Sequence, residues 1–480
     1  MNILSELGPV GVIVLALIGR RFAPDGLRKV IAIWVTLVFM STLVWAYPQL
    51  HEGGLVPWLL VGTNLIATTS AWDSVWWGRE HSDIKTVRYY IWWSLFWASL
   101  ISIAVSENLI LSWLAIEFST LVSGALIVEM RNRRALEAAW KYIIIASVGL
   151  FMAIIGVLFI YASLRTHQLG WHTLDYANIR SHAATIPLMV KEISTILIVS
   201  GIGTKVGLVP FHTWLPDAHS EAPAPVSGFL SGVLLGLCLV TIERLLSVIS
   251  AIPTSAAGLL TGPHLLLILG TLSVVVGTFA LLAQKDVKRL LAYSSIEQMG
   301  IAALAFGINT PFAREAALLQ LAFHAVIKSS LFYVSGHLSV AYRSTRLVRM
   351  TNLFYRTPRL AVLWAVGVFA LAGLPPLGLA YSEWMILLGL WQAHLWVVLA
   401  SLTISLVLGF SALVYHLLKG MWGNVEVKEC EPPGVQSVPL DHPLGHPLGH
   451  PPDHPLDHPL DHPLDHPLGN ALTATGGKHS

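Results

Sequence analysis

The sequence has few charged residues, and this shortage excludes most soluble folds. Only 12% of its 480 residues are charged, whereas soluble globular proteins carry roughly 25%. Apolar residues make up 55% of the chain. The net charge is only +2, and scattered basic residues give no indication of nucleic-acid binding. We therefore expect an all-α, polytopic integral membrane protein.

Cysteines and glycine-rich loops are also missing where cofactor sites would need them. Of the two cysteines, Cys238 lies in an apolar segment and Cys430 in the polar C-terminal part. They form no C-x-x-C pair, and no glycine-rich phosphate loop follows a strand pattern. The sequence therefore gives no support for a disulfide framework, a zinc site, an iron–sulfur site or a dinucleotide site.

Long apolar runs make up most of the sequence, and runs of about 20 residues can cross a bilayer. The first run contains Glu6 and lacks a basic start, so we interpret it as a span rather than a cleaved signal. The twelfth run carries Pro375 and Pro376 in its middle, which predicts a broken helix. Thirteen spans are predicted at 3–19, 30–47, 54–72, 89–105, 108–128, 140–164, 192–209, 225–247, 258–283, 290–307, 315–340, 360–391 and 395–418.

The distribution of basic residues predicts the orientation of these spans. Loops after spans 1, 3, 5, 9 and 11 hold 18 Lys and Arg residues, and the opposite side holds 5. The positive-inside rule places the richer side in the cytoplasm. We expect a multi-pass protein of a prokaryotic inner membrane, with its N-terminus outside and its C-terminal tail in the cytoplasm.

The composition changes abruptly after Gly423. Residues 424–480 form a polar tail in which histidine recurs at every fourth position from His442 to His466, usually before proline. Regular proline forbids a helix, so we expect a disordered or locally polyproline-like segment. A histidine-rich tract can bind metal weakly, and a tandem-repeat expansion without a dedicated role is the alternative.

Residues 201–227 carry the most informative pattern of the chain. Lys205 lies near membrane depth, and Pro210 interrupts the helix shortly after it. An ionisable residue within a span is costly and therefore a functional candidate. A helix broken at that depth is tolerated where it is buried in protein or lines a polar cavity. Together these features predict an ion pathway.

Glu117 is the only ionisable residue in the middle of its span, the fifth. A buried carboxylate must be neutral or paired with a cation. The functional hypothesis pairs Glu117 with Lys205, which would hold the lysine charged until the pair loosens and favours proton release. The alternative is a hydrogen bond between packed helices.

His324 and Lys328 lie one helical turn apart in the eleventh span, and therefore on one helix face. A histidine that titrates near neutral pH beside a lysine suits a proton relay. A lone histidine on an apolar face would more often be structural, but the added lysine favours function.

Two carboxylates in later spans are further candidates. Glu383 follows the break at the two prolines. It is interpreted as a relay residue, and the alternative interpretation is a carboxylate at the membrane interface. Glu297 enters the tenth span, where it either belongs to the relay or bonds irregular backbone. Lys285, Lys288 and Arg289, just before it, are interpreted as loop charges.

His212, Asp217, His219 and Glu221 crowd the connection after the first break. Their spacing, with prolines between them, is not a compact zinc pattern. A polar proton entrance, or simple stabilisation of the bend, fits them better than a metal site.

The two broken helices suggest an internal duplication. Lys141 precedes Lys205 in one half, and Lys328 precedes Glu383 in the other. Paired discontinuous helices in two halves indicate a transport site near the membrane midplane.

Four motifs carry a resemblance to a known family. They are FHTWLPDAHSEAPAPVS, QKDVKRLLAYSSIEQMG, FHAVIKSSLFYVSGHL and LAGLPPLGLAYSEWMIL, in the family's order. The chain resembles the antiporter-like membrane subunits shared by respiratory complex I, membrane-bound nickel–iron hydrogenases such as formate hydrogenlyase, and Mrp-type sodium/proton antiporters. The resemblance covers about residues 85–420, and ALEAAWKYIIIASVG looks most like the hydrogenase branch.

By position, Glu117, Lys205, His324, Lys328 and Glu383 resemble the family's proton-relay residues. The resemblance implies proton translocation driven by redox subunits elsewhere in a complex, so the chain itself would be a non-redox membrane subunit. It also implies partners among other membrane subunits and peripheral redox subunits, and no flavin, iron–sulfur cluster or nickel in this chain.

One departure concerns the eighth span. The family usually places a lysine or histidine there, between the halves, whereas this chain has Ser231 and Gly236 in that stretch. Water would then carry the relay, or the first half would be uncoupled.

The predicted regions are N-terminal helices at 1–84, a translocating domain at 85–423 and the tail at 424–480.

Two rival functions remain open from sequence. One is a cation/proton antiporter subunit or a partner in inorganic-carbon uptake, and the other is a structural subunit that has lost conduction. The absent cation of the eighth span favours the structural rival, whereas the retained relay residues argue against it.

Overall fold

The structure is a computed structural model, and it describes residues 3–21, 23–50, 53–81, 85–165, 170–249 and 261–423. The predicted disorder of the His- and Pro-rich tail lies outside the described residues. Within them the chain is helical, and its only β-type pairings are two isolated bridges. The all-α prediction is confirmed.

Apolar composition and bilayer-length runs produce a bundle of helices with short connections. The α-helices are α1 Ile3–Ile18, α2 Pro24–Leu50, α3 Leu55–Glu80, α4 Thr86–Val105, α5 Leu109–Val128, α6 Arg133–Leu164, α7 Tyr176–Ser181, α8 Leu188–Val206, α9 Trp214–Glu221, α10 Ala224–Phe229, α11 Leu235–Ile249, α12 Gly262–Leu282, α13 Val287–Gly307, α14 Pro311–Ala341, α15 Leu353–Arg356, α16 Pro358–Leu371, α17 Gly378–Gln392 and α18 Trp396–Trp422.

Nine helical segments in the described ranges are long and apolar enough to cross a membrane. Shorter apolar helices at Ser5–Ile18 and Pro358–Leu371 accompany them. The polytopic membrane architecture is therefore confirmed, and the count of thirteen spans stays a prediction.

The first predicted break lies between α8 and α9. Gly207 ends α8 with a φ of +82°, a left-handed conformation that glycine adopts without strain. The broken helix leaves backbone groups to satisfy. Trp214 donates its indole N–H to the Thr204 carbonyl at 2.8 Å, and the Val209 amide donates to Ser273 Oγ at 2.9 Å. These bonds make an interrupted helix tolerable at membrane depth.

The second predicted break separates α16 from α17. Gly373 has a φ of +72°, and Pro375 and Pro376 follow it before α17 begins at Gly378. Proline lacks the N–H that an unbroken helix would need. Both interruptions thus occur where the sequence predicts them.

Matching helix starts support the internal inverted repeat. Asn108 caps α5 and Asp286 caps α13, and each side chain accepts hydrogen bonds from two first-turn amides. Each cap also forms an isolated antiparallel bridge to a later connection, Asn108 to Asp175 and Asp286 to Arg346. In the predicted span order the two caps lie on opposite sides of the membrane, as an inverted repeat requires.

The helix α13 lies at the centre of the bundle, and nearly all of its side chains are buried. It packs against α12, α14 and α9. A polar side chain on α13 must therefore face another helix rather than solvent or lipid, so this helix holds much of the candidate site.

Candidate functional site

Lys205 is fully buried in the last turn of α8. Its ammonium group donates to Thr120 Oγ1 at 2.8 Å and to the Tyr142 hydroxyl. Tyr142 is itself linked to Ser123 Oγ at 2.7 Å. The lysine is therefore held by hydroxyl groups, which can accept a bond from its charged form and exchange protons along the chain of hydroxyls.

Aromatic rings complete the surroundings of Lys205. Its Nζ atom lies 4.4 Å from the centre of the Tyr142 ring and 6.0 Å from that of Trp214. A ring face attracts a cation, most strongly when water is excluded. These contacts help a lysine remain charged without a carboxylate against it.

Glu117 lies on α5 one turn before Thr120 and is only partly buried. Its Oε1 atom accepts a hydrogen bond from Ser147 Oγ at 2.7 Å, and its Oε2 atom has no described hydrogen-bond partner. No ion pair within 4.0 Å joins Glu117 and Lys205 in the described structure. The two residues lie within electrostatic range of each other without a direct contact, and their functional pairing stays a prediction.

Lys328 is fully buried on α14. It donates to the Leu291 carbonyl at 2.6 Å and to Ser294 Oγ, and both acceptors belong to α13. As at Lys205, the ammonium group is bound by neutral oxygen atoms. The two halves therefore each hold one buried lysine in a neutral polar cage.

Glu297 lies on α13, one turn after the residues that bind Lys328. It is 3% exposed, and its Oε1 atom accepts a bond from Thr278 Oγ1 at 2.6 Å. Lys328 and Glu383 are both within electrostatic range of it. Of the two interpretations of Glu297, its position therefore favours membership of the polar chain over a bond to irregular backbone.

Glu383 is 7% exposed in the first half of α17, just after the second break. Its Oε1 atom is buried without a described hydrogen-bond partner. A series of hydrogen bonds lies beside it. Ser382 donates to Gln320 at 2.5 Å, and Gln320 donates to Gln298 at 2.5 Å. The carboxyl thus lies beside the polar core of the second half.

His324 is buried one turn before Lys328, and neither ring nitrogen bonds a described residue. Its ring lies beside the backbone of Ser231. Ser231 in turn shares a hydrogen bond of 2.8 Å with Ser295 on α13. The histidine therefore lies next to a polar contact between the two halves.

The stretch that lacks the expected cation has an unusual backbone. Residues Leu230–Leu234 form a π-helical segment between α10 and α11, a feature often found at functional sites. Ser231 lies in this segment, and Cys238 lies further along the same helix, near Lys205. A side chain added at Gly236 would meet only Leu321, at ordinary contact distance of 3.7 Å. A hydroxyl thus bridges the halves where a charge was expected.

Lys141 and Asp217 do not belong to the buried series of polar residues around Lys205 and Lys328. Lys141 bonds Glu137 at 2.5 Å and lies 3.9 Å from Asp217, which bonds Arg289 at 2.8 Å. All four side chains are substantially exposed. This ionic cluster joins the start of α6 to α9 and α13, near one end of the bundle.

His212 and His219 take different positions after the first break. His212 is half-buried, and its Nδ1 atom has no described partner. His219 is fully buried, stacks on Phe332 with ring centres 5.0 Å apart, and leaves both ring nitrogens without a described partner. His219 also lies within electrostatic range of Lys328 and Lys288.

A polar cavity of about 560 Å³ opens among the ends of α3, α9, α13 and α14. Glu221, Arg134 and Lys288 line it. The interpretation of Lys288 as a loop charge is wrong, because it lies in the first turn of α13, is buried, and donates to the Ala222 carbonyl at 2.9 Å. Because Asp286 caps α13, the helix begins at Val287, earlier than the start at 290 that the apolar pattern predicts.

Sequence reasoning missed the partners that hold the lysines. Thr120, Tyr142 and Ser294 are neutral and lie far from Lys205 or Lys328 in the chain. Only the spacing of Glu117 and Thr120 on one helix face could have indicated a shared polar site. No group of three His, Cys, Asp or Glu residues suited to a metal occurs among the described residues.

Comparisons with known proteins identify the family to which this chain belongs. Residues 106–409 match the family described as NADH:quinone oxidoreductase/Mrp antiporter, TM. The Hydrogenase-4 component F homolog of Methylacidiphilum infernorum is 38% identical over 320 residues, which cover 66% of each chain. NADH-quinone oxidoreductase subunit N of Desulforudis audaxviator is 29% identical over 361 residues, covering 74% of this chain and 70% of the relative.

A solved structure shares the fold. It is a chain of the membrane-bound sulfane sulfur reductase, an archaeal respiratory membrane complex, with a TM-score of 0.77 and 22% identity. The match covers 88% of this chain and 87% of that one. The alignment with curated relatives spans about two thirds of their length, and the fold likeness extends over most of the described helices.

Proposed function

Because this chain belongs to the NADH:quinone oxidoreductase/Mrp antiporter membrane-subunit family, we propose that it moves protons across the membrane as a subunit of a redox-driven complex. One observation carries the proposal. Each half holds a fully buried lysine bound by neutral oxygens, with no ion pair at either ammonium group among the described residues. Such groups are expensive to bury and are typical of proton pathways.

In the first half, Lys205 would exchange its proton through hydroxyls. Thr120 and Tyr142 accept from the ammonium group now, and either can donate when the lysine is neutral. Glu117, one turn from Thr120, would modulate the charge of the lysine through space. Its role is electrostatic rather than that of a contact partner.

In the second half, Lys328, Glu297 and Glu383 would form the corresponding series. Glu297 lies within electrostatic range of both other residues. Between neighbouring buried groups, opposite charges support each other and like charges oppose each other. A proton arriving at one residue therefore shifts the next, which is how a series of carboxylates and amines passes charge along.

The polar cavity would serve as the entrance to the second half. Glu221 and Lys288 line it, and His219 lies within electrostatic range of both Lys288 and Lys328. A neutral imidazole can accept a proton at one nitrogen and release it from the other. The exposed cluster of Lys141 and Asp217 would hold the helix ends that frame this region.

A serine-to-serine contact would join the halves. Ser231→Ala removes the hydroxyl that bonds Ser295 without adding volume to the packed segment. We expect proton uptake in membrane vesicles to fall several-fold, because the hydroxyl chain between α13 and the π-helical segment is interrupted. Ser247→Ala removes a hydroxyl bonded only to its own helix and is the control. Equal uptake in both variants would show that protons do not cross at Ser231.

We infer that the redox chemistry lies on other subunits. Relatives are named as components of hydrogenase-4 and of NADH-quinone oxidoreductase, which are multi-subunit enzymes. Other membrane subunits and peripheral redox subunits are therefore the proposed partners, and this chain would carry no redox cofactor. The bias of 18 to 5 basic residues supports a cytoplasmic C-terminal tail. We expect a cytoplasm-specific reporter fused after Gly423 to be active.

The competing functions differ in what they transport. We expect inverted membrane vesicles that contain the complex to take up protons when supplied with NADH, hydrogen or formate, and to do so equally well in sodium-free medium. A pH-sensitive dye would follow the uptake, with vesicles lacking this chain as the control. Uptake that stops without sodium would favour a cation/proton antiporter. Normal uptake in vesicles lacking the chain would favour a structural subunit.

A further inference from the structure

A second cavity, distinct from the polar entrance, opens on the outer surface of the bundle at the second break. Its volume is about 700 Å³, within the range of small-molecule sites. Most of its lining is apolar and comes from the segment between α16 and α17, from α17 itself and from α18. Glu383 is the only carboxyl group among the lining residues.

One oxygen atom of the Glu383 carboxyl has no hydrogen-bond partner among the described residues. Its Oε1 atom is buried without a described hydrogen-bond partner, and its Oε2 atom lies against Gly373, another lining residue. The neighbouring Gln320 amide donates to Gln298, and both amides lie close to the carboxyl without giving its Oε1 atom a hydrogen bond. A buried carboxyl without a donor is costly, so the cavity favours an occupant that brings one.

Aromatic side chains surround the mouth of this cavity. Tyr381 and Trp384 are 60% and 61% exposed, and Phe410 lies on the opposite wall. Exposed rings beside a carboxyl suit a cation, because ring faces and the carboxylate attract the same charge. An ordinary lipid tail would fill the apolar volume but would leave the carboxyl without a partner.

We propose that this cavity binds a lipophilic cation, an alkyl or aryl amine whose ammonium group pairs with Glu383 while its apolar body fills the space beside α17 and α18. The site goes beyond proton translocation, since binding requires only the cavity and the carboxyl. Charge complementarity separates this occupant from neutral membrane components. The amine reaches the cavity laterally from the bilayer, through the apolar surface on which the cavity opens.

Photolabelling tests the proposal on the full-length chain in lipid nanodiscs. The probe is a dodecylamine with a diazirine in its chain, and the control probe is the same molecule with a hydroxyl head. Adducts are located by mass spectrometry of peptides. We expect saturable amine labelling within residues 372–387 and 406–410, with a half-saturating concentration at least about tenfold lower than for the alcohol.

Three variants sharpen the result. Glu383→Gln keeps the shape and removes the charge, so amine labelling should fall to the level of the alcohol. Ala380→Phe fills the cavity while the carboxyl remains, so labelling by both probes should be lost. Glu315→Gln, an exposed carboxyl outside the cavity, should change nothing. Equal labelling by amine and alcohol in the unaltered chain overturns the proposal. Amine labelling that stays at its unaltered level in Glu383→Gln or in Ala380→Phe also overturns it.

Discussion

Replacing Lys205 by methionine is expected to reduce redox-driven proton uptake to less than about a tenth of the normal rate. Methionine has a similar length but cannot carry a proton between Thr120 and Tyr142. Thr120 keeps its hydrogen bond to the Ile116 carbonyl, and Tyr142 keeps its bond with Ser123, when the ammonium group is lost. The variant should therefore accumulate normally, and the loss should appear in uptake by inverted vesicles, normalised to the amount of this chain in the membrane.

An exposed lysine provides the matched control for that substitution. Lys419 lies in the last turn of α18 at the surface, and Lys419→Met removes the same charge without touching the buried chain. We expect normal uptake in this control. If Lys205→Met also takes up protons at the normal rate, Lys205 is a structural cation and the first half has no lysine relay.

The second large effect is expected for Lys328→Met. The Leu291 carbonyl would keep the hydrogen bond from Ser294 at 3.0 Å, so the backbone of α13 stays satisfied when the ammonium group is lost. The structural cost should therefore be small. Uptake should again fall to less than about a tenth, because the step between His219 and Glu297 loses its titratable group.

The control for the second half lies on the same helix. Ser330 is exposed on α14 and bonds only its own helix backbone, so Ser330→Ala should leave uptake unchanged. A Lys328→Met variant that disappears from the membrane would show that Lys328 is required for assembly. A variant that is abundant and fully active would exclude Lys328 from the pathway.

The positions of both lysines and both breaks could be predicted from sequence because their signals are local. A charge inside an apolar run stands out, as Lys205 and Lys328 do. Pro210 and the Pro375–Pro376 pair lie inside apolar runs, where proline removes a helical hydrogen bond. The structure adds the mechanism of the breaks, in which Gly207 turns the chain and Trp214 satisfies a freed carbonyl.

The partners of these residues could not be predicted in the same way. Pairing Glu117 with Lys205 relied on opposite charge alone, whereas the fold places the neutral Thr120 and Tyr142 against the ammonium group. Hydroxyl side chains are common in membrane helices and carry no sequence signal of a contact with a distant helix. Tertiary packing, rather than charge pairing, decides which oxygen reaches the lysine.

The contact between the two halves could not be predicted from the sequence either. The eighth span has no lysine or histidine in the stretch around Ser231 and Gly236, and the sequence therefore suggests a gap there. The structure instead places Ser231 in a π-helical segment, against Ser295 and beside His324. Backbone irregularity of this kind depends on neighbouring helices, so residue type alone does not reveal it.

The central claim is that the two buried lysines carry protons, and the number of protons taken up per electron transferred tests it most directly. The comparison is between vesicles with the unaltered chain and vesicles with Lys205→Met and Lys328→Met combined, at equal abundance of the complex. We predict that the number of protons taken up per electron falls in the double variant by the number that this subunit moves. An unchanged ratio, with the complex intact, would contradict the proposed role of the chain.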